Sequence, residues 1–337
     1  MESVSRSPLE GFGVDWSTIG NRPKKQPSLK DAVEPGRGRI PLTEHFDRLA
    51  NAMTRPFPSL AAIKDKYRGQ TLVIVGGGPS LQDTFKTIRR DCRLSHKVKV
   101  LAPNKSHDFL LSKGFRPGKE LHFGVVLDPM EWVASYQAPT PGVKYLLGST
   151  IHDKTWKVHE RAKSDAYVWH PVGNIKHPTT GQTEQEWLTS KFPGKPWMCV
   201  PGPSTVGLRS ICLGIAIGFS HFELHGFDSC YADKSLYAYA KPNVAIDPTL
   251  KGNDTVSWEQ VAPDGDRMSF TANRMMSRQV YEWIDMLKML LKLADKGEIQ
   301  RPSFAVHGWG AIPWLAAKAG MHADPEVNRK YAIREAA

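Results

Sequence analysis

Short runs of large apolar and β-branched residues recur at 72–75, 98–102, 122–127, 144–148, 166–169, 197–200, 222–226 and 303–306. Runs with little polar alternation read as strands buried on both faces of a parallel sheet. Between them, apolar residues fall at helical spacing after Ser80 and over 106–113, 206–218, 273–296 and 312–319. This alternation predicts an α/β fold, a mostly parallel sheet with helices on both faces. The clearest helix is 273–296, where Met276, Val280, Trp283, Leu287, Leu290, Leu291 and Ala294 make one stripe that Lys296-Gly297 ends. The 206–218 helix is apolar almost all round and is expected inside the core. Upstream, Phe46, Leu49, Ala50 and Met53 predict an amphipathic helix over 43–53 behind a Thr43 cap, and 57–67 reads as a second short helix.

Three stretches break the pattern. Residues 1–40 are rich in Pro, Gly, Ser, Lys and Arg and read as an extended arm reaching to about residue 60. Polar inserts at about 173–195 and 231–269 interrupt a core of 61–320, and a charged tail of 321–337 follows. A loop as long as 231–269 within a compact domain is usually functional or mobile.

Composition narrows the class. With 337 residues, 40% hydrophobic and 23% charged, the chain has material for a full globular core. No apolar run approaches the roughly 18 residues of a membrane span, and the first residues lack a basic-then-apolar leader. The four cysteines, Cys92, Cys199, Cys212 and Cys230, form no C-x-x-C pair, which argues against a zinc knuckle or a disulfide scaffold and points to a reducing cytoplasm. The net charge of +11 points to an anionic partner: a nucleotide, a nucleic acid or an acidic surface.

Candidate chemistry gathers where strands end, because an open parallel sheet binds ligands beyond the carboxyl ends of its strands. The first strand runs into Gly76-Gly77-Gly78-Pro79-Ser80. Glycines permit a tight turn, and the following helix start, with Ser80 as a capping oxygen, would offer free amides to an anion. The spacing is neither the Gly-x-Gly-x-x-Gly fingerprint nor a phosphate loop ending in Gly-Lys-Ser/Thr. Later strand ends carry Asn104 and Lys105 for a base, ribose or phosphate, Asp128 for a ribose or metal, and Ser204-Thr205 as a second helix start for anions. Asp228 follows as a metal-binding or general-base carboxylate, Tyr231 as a phenol donor and His307 as an acid or base, and with Asp128 they are the catalytic candidates. No set of His, Cys and carboxylates shows metal-ligand spacing, and His225, inside a strand, reads as a packed residue.

The Gly-Gly-Gly-Pro-Ser-Leu turn resembles the Gly-x-Gly-Pro-Ser-Leu signature of the DUF115 group, which includes the MptE-like 6-hydroxymethylpterin pyrophosphokinases and the Maf-type flagellin glycosyltransferases, and of the family 42 bacterial sialyltransferases. Ser204-Thr205, the apolar helix, Gly218-Phe219 and the strand ending Gly226-Phe227-Asp228 are similar to a second block of these families. Asn104 resembles a nucleotide-contacting Asn of the sialyltransferases. The resemblance spans about 72–231 and implies a Rossmann-like domain that binds a nucleotide or nucleotide-sugar at the Gly-Pro-Ser turn. It implies a soluble transferase. The first expectation is transfer of a sugar from a nucleotide-sugar to a hydroxyl, with modified DNA or an anionic glycan as acceptors that suit the charge. The alternative is a pyrophosphokinase using ATP with Mg²⁺ on a small hydroxymethyl compound, and a third reading is a non-catalytic nucleotide-binding protein. Asp128 has only Glu131 nearby and no Asp-x-Asp follows, a departure from the carboxylate cluster that the Mg²⁺ reading implies. The sialyltransferase pattern implies a His base and Tyr residues near the leaving phosphate; Tyr231, Tyr237, Tyr239 and His307 are the candidates here.

Overall fold

A computed structural model of the chain describes residues 40–173, 175–231, 255–262 and 265–324. In chain order these form α1 (Leu42–Thr54), β1 (Thr71–Val75), α2 (Leu81–Leu94), β2 (Val98–Pro103), α3 (Lys105–Ser112), β3 (Phe123–Val126), β4 (Lys144–Gly148), α4 (Asp153–Arg161) and β5 (Asp165–Pro171). Then come α5 (Glu184–Lys191), β6 (Cys199–Val200), α6 (Val206–Ala216), β7 (His221–His225), β8 (Thr255–Val261), β9 (Arg267–Asn273), α7 (Arg274–Asp295), β10 (Ser303–Val306) and α8 (Ala311–Lys318).

Eight strands make one sheet in the order β10-β7-β1-β2-β3-β4-β5-β6, and every neighbouring pair is parallel. The fold is therefore the Rossmann-like α/β arrangement expected. Its covered faces explain the near-continuous apolar strands. Leu72 and Ile74 of β1 point into a core shared with α6, α7 and α8. Val73 and Val75 point the other way, toward Leu81 and Ile88 of α2 and Phe109 and Leu110 of α3. The strand order reverses at β1: β2 to β6 extend to one side, while β7 and β10 lie on the other. The crevice between the ends of β1 and β7 is thus a topological switch point.

Several local expectations need correction. Residues 57–67 hold only a 3₁₀ turn, Leu60–Ile63, because Pro56 and Pro58 bias the residues before them to extended backbone. Thr43 does not cap α1, which starts one residue earlier, behind Pro41 and without a side-chain cap. The first insert contains α5, started by a capping box between Thr183 and Glu186. The described part of the second insert forms an antiparallel hairpin with β9, in which Trp258 opposes Phe270, and Phe270 meets Trp314 of α8 with centroids 6.0 Å apart. Helix α4 lies where no element was expected.

The described part of the arm holds the helix expected there. Helix α1 is docked: His45 Nε2 lies 2.7 Å from Glu184 Oε1 in the interior, Phe46 meets Trp187 edge-on at 5.2 Å, and Arg55 pairs with Asp153 and Glu160. Residues 1–39 and the tail from 325 lie outside the described residues. Among the described residues no helix is long and apolar enough to cross a membrane.

Helix α7 buries Trp283, whose ring sits edge-on to Phe304 of β10 at 5.4 Å. Trp283→Ala is expected to lower the unfolding free energy by about 3–5 kcal/mol, seen as a fall in the urea midpoint with an unchanged slope.

Candidate functional site at the switch point

The glycine turn after β1 is not an open cradle. The Gly76 N–H donates to His225 O at 2.7 Å and the Gly78 N–H to Gly226 O at 2.8 Å, continuing the ladder beyond the strands. The Ser80 N–H donates to Asp228 Oδ2 at 2.7 Å, and the Ser80 hydroxyl donates to Asp228 Oδ1. The expected free amides are thus largely engaged, and Ser80 caps no helix. Its oxygen is committed across the crevice, and the side chain of Asp228 takes the anion position at the start of α2. Among the described residues, the Gly77 N–H is the amide of this turn that keeps no protein acceptor.

Close approach explains the glycines. A Cβ on Gly76 would lie 2.3 Å from Gly226 O, and one on Gly78 would lie 2.6 Å from the Asp228 carboxyl carbon. The segment after β10 seals the third side: a Cβ on Gly308, at φ +92°, would meet Ser80 Oγ at 2.2 Å. Gly308 and Gly310 drew no attention in the sequence, although they follow a strand end as Gly76 does.

Ser80 and Asp228 are both buried. Burial pushes the Asp228 carboxyl up to about 7, with the Ser80 hydrogen bonds opposing the rise and the charge of Asp83 adding to it. Asp83, exposed in the first turn of α2, is a second carboxylate of the crevice that the sequence pattern did not single out.

The neighbouring strand ends are tied to this turn. The Ser106 hydroxyl donates to Gly76 O at 3.0 Å. Asn104 has φ +47°, a left-handed conformation uncommon outside glycine. Its N–H donates to Val125 O, and its side-chain Oδ1 is buried without a partner among the described residues. Lys105 holds its ammonium 4.9 Å from the centre of the Tyr136 ring. Asp128 accepts from the Met130 N–H at 3.0 Å. Beyond it a groove of about 730 Å³ runs along the ends of β3 and β4, with Arg48, Met130, Glu131, Trp132, His152 and Lys154 in its walls.

The other candidates make different contacts. Ser204 is already served: its N–H and hydroxyl reach the Glu282 carboxylate of α7 at 3.1 and 2.7 Å. The expected second anion site at Ser204-Thr205 therefore has an internal anion, which the sequence could not reveal across 78 residues. The Tyr231 N–H donates to Thr271 O of β9. Tyr237 and Tyr239 lie outside the described residues.

His307 follows β10 and stacks on His225, with ring centroids 3.9 Å apart and planes 12° from parallel. Its Nε2 is 4.0 Å from Glu223 Oε2. Glu223 and His225 share their registers with Val73 and Val75, so this group belongs to the sheet face under α2. Burial lowers His307 to about 4, lowers His225 as well, and raises Glu223.

A family model described as 6-hydroxymethylpterin diphosphokinase MptE-like matches residues 44–234, more than half of the chain. The chain belongs to the MptE-like family. The match takes in β1 to β7 and both sides of the Ser80–Asp228 contact, whereas the β8–β9 hairpin, α7, β10 and α8 lie beyond it. A search of curated proteins gives no match to the chain.

The raised Asp228 has a signed consequence. A carboxyl that moves from 3.8 to about 7 on folding contributes stability below about pH 4 that is lost as the pH rises toward 7. His122, His159, His170 and His307, lowered to about 4, act in the opposite sense between about pH 4 and 6.5, so the readout is a difference. The unfolding free energy of the wild type minus that of Asp228→Asn is expected to fall by up to about 1.4 kcal/mol per pH unit between about pH 4 and 7. A flat difference in paired urea titrations contradicts the buried, protonated carboxyl.

Proposed function

We propose that the chain is a diphosphotransferase, moving a pyrophosphoryl group from ATP to the hydroxyl of a small hydroxymethyl acceptor. The observation that carries this reading is the Ser80–Asp228 contact, which joins the Gly-Pro-Ser turn to the Gly-Phe-Asp strand end at the switch point of an MptE-like domain. Strand ends at a switch point are where α/β sheets bind nucleotides.

In this reading the nucleotide lies over the ends of β1 and β2. The Asn104 side-chain oxygen accepts from a ribose hydroxyl or base amine, a role that suits an acceptor left unpartnered in the protein. The Gly77 N–H and Lys105 face the phosphates. The groove beside Asp128 takes the acceptor, whose flat ring would lie against Trp132 and Met130. The acceptor oxygen attacks the β-phosphorus, the bond from that phosphorus to the α–β bridging oxygen breaks, AMP leaves, and the hydroxyl proton is released. Catalysis is mostly positioning and charge stabilisation, as in other phosphoryl transfers. Mg²⁺ carried on nucleotide phosphates keeps several waters and needs only one or two carboxylates. Exposed Asp83 and partly exposed Asp128 fit that need. Buried Asp228, with both oxygens engaged, does not. Its role is to hold the turn in place.

The burial of Asp228 also favours a second reading, because it withdraws one strand-end carboxylate from the ion that a Mg²⁺-dependent kinase uses. A nucleotide-sugar donor, with sugar transfer to a hydroxyl, makes less demand on such carboxylates.

The test is product analysis with the full chain, Mg²⁺ and a panel of ATP and nucleotide-sugars, each offered hydroxymethylpterins, glycans and hydroxymethylated DNA. AMP and a diphosphorylated hydroxymethyl compound, seen by phosphorus NMR, are expected. Asn104→Ala should raise the KM for ATP about tenfold, the worth of one hydrogen bond to the substrate. Release of a nucleoside phosphate from a sugar donor alone moves the assignment to a glycosyltransferase. Thermal stabilisation by a nucleotide without turnover leaves a binding protein.

A further inference from the structure

We infer that Glu223, His225 and His307 form a binding site for one divalent transition metal of the zinc class, bridging β7 and β10 beneath α2. One ligand atom from each residue lies within 4.8 Å of the other two. The arrangement follows from strand geometry. Glu223 and His225 are two residues apart on β7 and so project from the same face. Strand β10 pairs with β7 in parallel, Ala305 opposite Glu223 and Val306 opposite Leu224. The next step of that register sets His307 beside His225, and the two rings stack.

A second, independent observation points to a ligand. His225 is fully buried, and neither of its ring nitrogens has a hydrogen-bond partner among the described residues. The Nε2 of His307 is likewise unpartnered. A buried polar group without a partner costs about 1–3 kcal/mol, so interiors rarely keep several together. A metal ion accepting one lone pair from each ring removes that cost at the ligating nitrogens. The His307 Nε2 stands 4.0 Å from Glu223 Oε2.

The donor set selects the ion. Two imidazoles and one carboxylate suit Zn²⁺, Co²⁺ or Ni²⁺, whereas Mg²⁺ prefers oxygen ligands in octahedral array. Two donors on tetrahedral zinc stand about 3.3 Å apart, and each imidazole binds the ion in its own ring plane, so binding requires the partly exposed His307 ring to turn out of its nearly parallel stack on His225. Partial exposure of Glu223 and His307 leaves a side for a fourth ligand, such as water. The site is distinct from the Mg²⁺ that accompanies a nucleotide. It also crosses the edge of the family match: Glu223 and His225 lie inside it, and His307 lies outside. Its physical effect would be to clamp the edge strand β10, and with it the Gly308 segment that packs on Ser80.

The test needs no turnover. The full chain is stripped with a chelator and titrated with Co²⁺, following its visible d–d absorption, and with Zn²⁺ by calorimetry. About one equivalent of each is expected, with tetrahedral-type Co²⁺ absorption and a melting point that rises with Zn²⁺ concentration. His307→Gln and Glu223→Gln should each weaken binding by more than ~10-fold, since even changes to residues behind metal ligands cost that much. Each variant's circular dichroism, matched to the wild type, separates loss of binding from loss of fold. His177→Gln, on the polar insert, should bind as the wild type does. The inference is overturned if the stripped wild type takes up no Co²⁺ or Zn²⁺, if both ligand variants bind undiminished, or if Mg²⁺ competes with Zn²⁺ at equal concentration.

Discussion

The hydrogen bonds from Ser80 to the buried carboxyl of Asp228 are the contact on which the rest of the crevice depends. They join residues 148 positions apart and close the point where the strand order reverses. A carboxyl out of water is costly unless it is neutral or well bonded, and here the surroundings provide both. The same contact explains the glycines around it: three backbone segments meet at van der Waals distance about one acidic side chain, and a methyl group at Gly76, Gly78 or Gly308 would collide with backbone or with the paired groups themselves. The turn is preorganised by the protein before any ligand arrives. A phosphate at this crevice would meet the remaining amide of Gly77 and the neighbouring side chains, not an empty helix start.

Much of the fold was legible because buried parallel strands write themselves as short apolar runs. The strands from 72 to 226 and the strand at 303 all lie in the sheet, and the strand ends flagged by the pattern do gather along one edge. What failed to show was short or long-range. Helix α5 is brief and polar, although its Thr183–Glu186 capping box was a usable signal. Helix α4 and the hairpin of β8 and β9 were hidden in text read as loop, even though 255–261 alternates in the manner of a half-exposed strand. The residues that occupy the helix starts could not be read at all. Nothing local in Glu282 shows that it serves Ser204, or in Asp228 that it serves Ser80, because spatial pairing across many residues leaves no trace in one sequence.

The histidines teach the same lesson. His225 was read as a packed strand residue, and it is packed. His307 was read as an acid or base at a strand end. Only the register between β7 and β10 shows that the two rings touch and that Glu223 stands with them. Period-two spacing of Glu223 and His225 was visible in the sequence; the neighbour strand was not.

The position of β10 gives the crevice a history. Among the described residues it is the last strand, yet it flanks β7, which itself joins β1 from 150 residues downstream. A nascent chain emerging from its N-terminus can pair β1 with β2, β3 and the strands that follow, but one side of β1 stays open until β7 appears. That side is an unpaired, largely apolar edge, the kind that invites wrong partners. The enclosure of Ser80 by Gly308 then follows the emergence of β10. Assembly of the crevice thus waits for β10, and a product cut short before residue 303 would carry the conspicuous Gly-Pro-Ser signature without the walls that shape it.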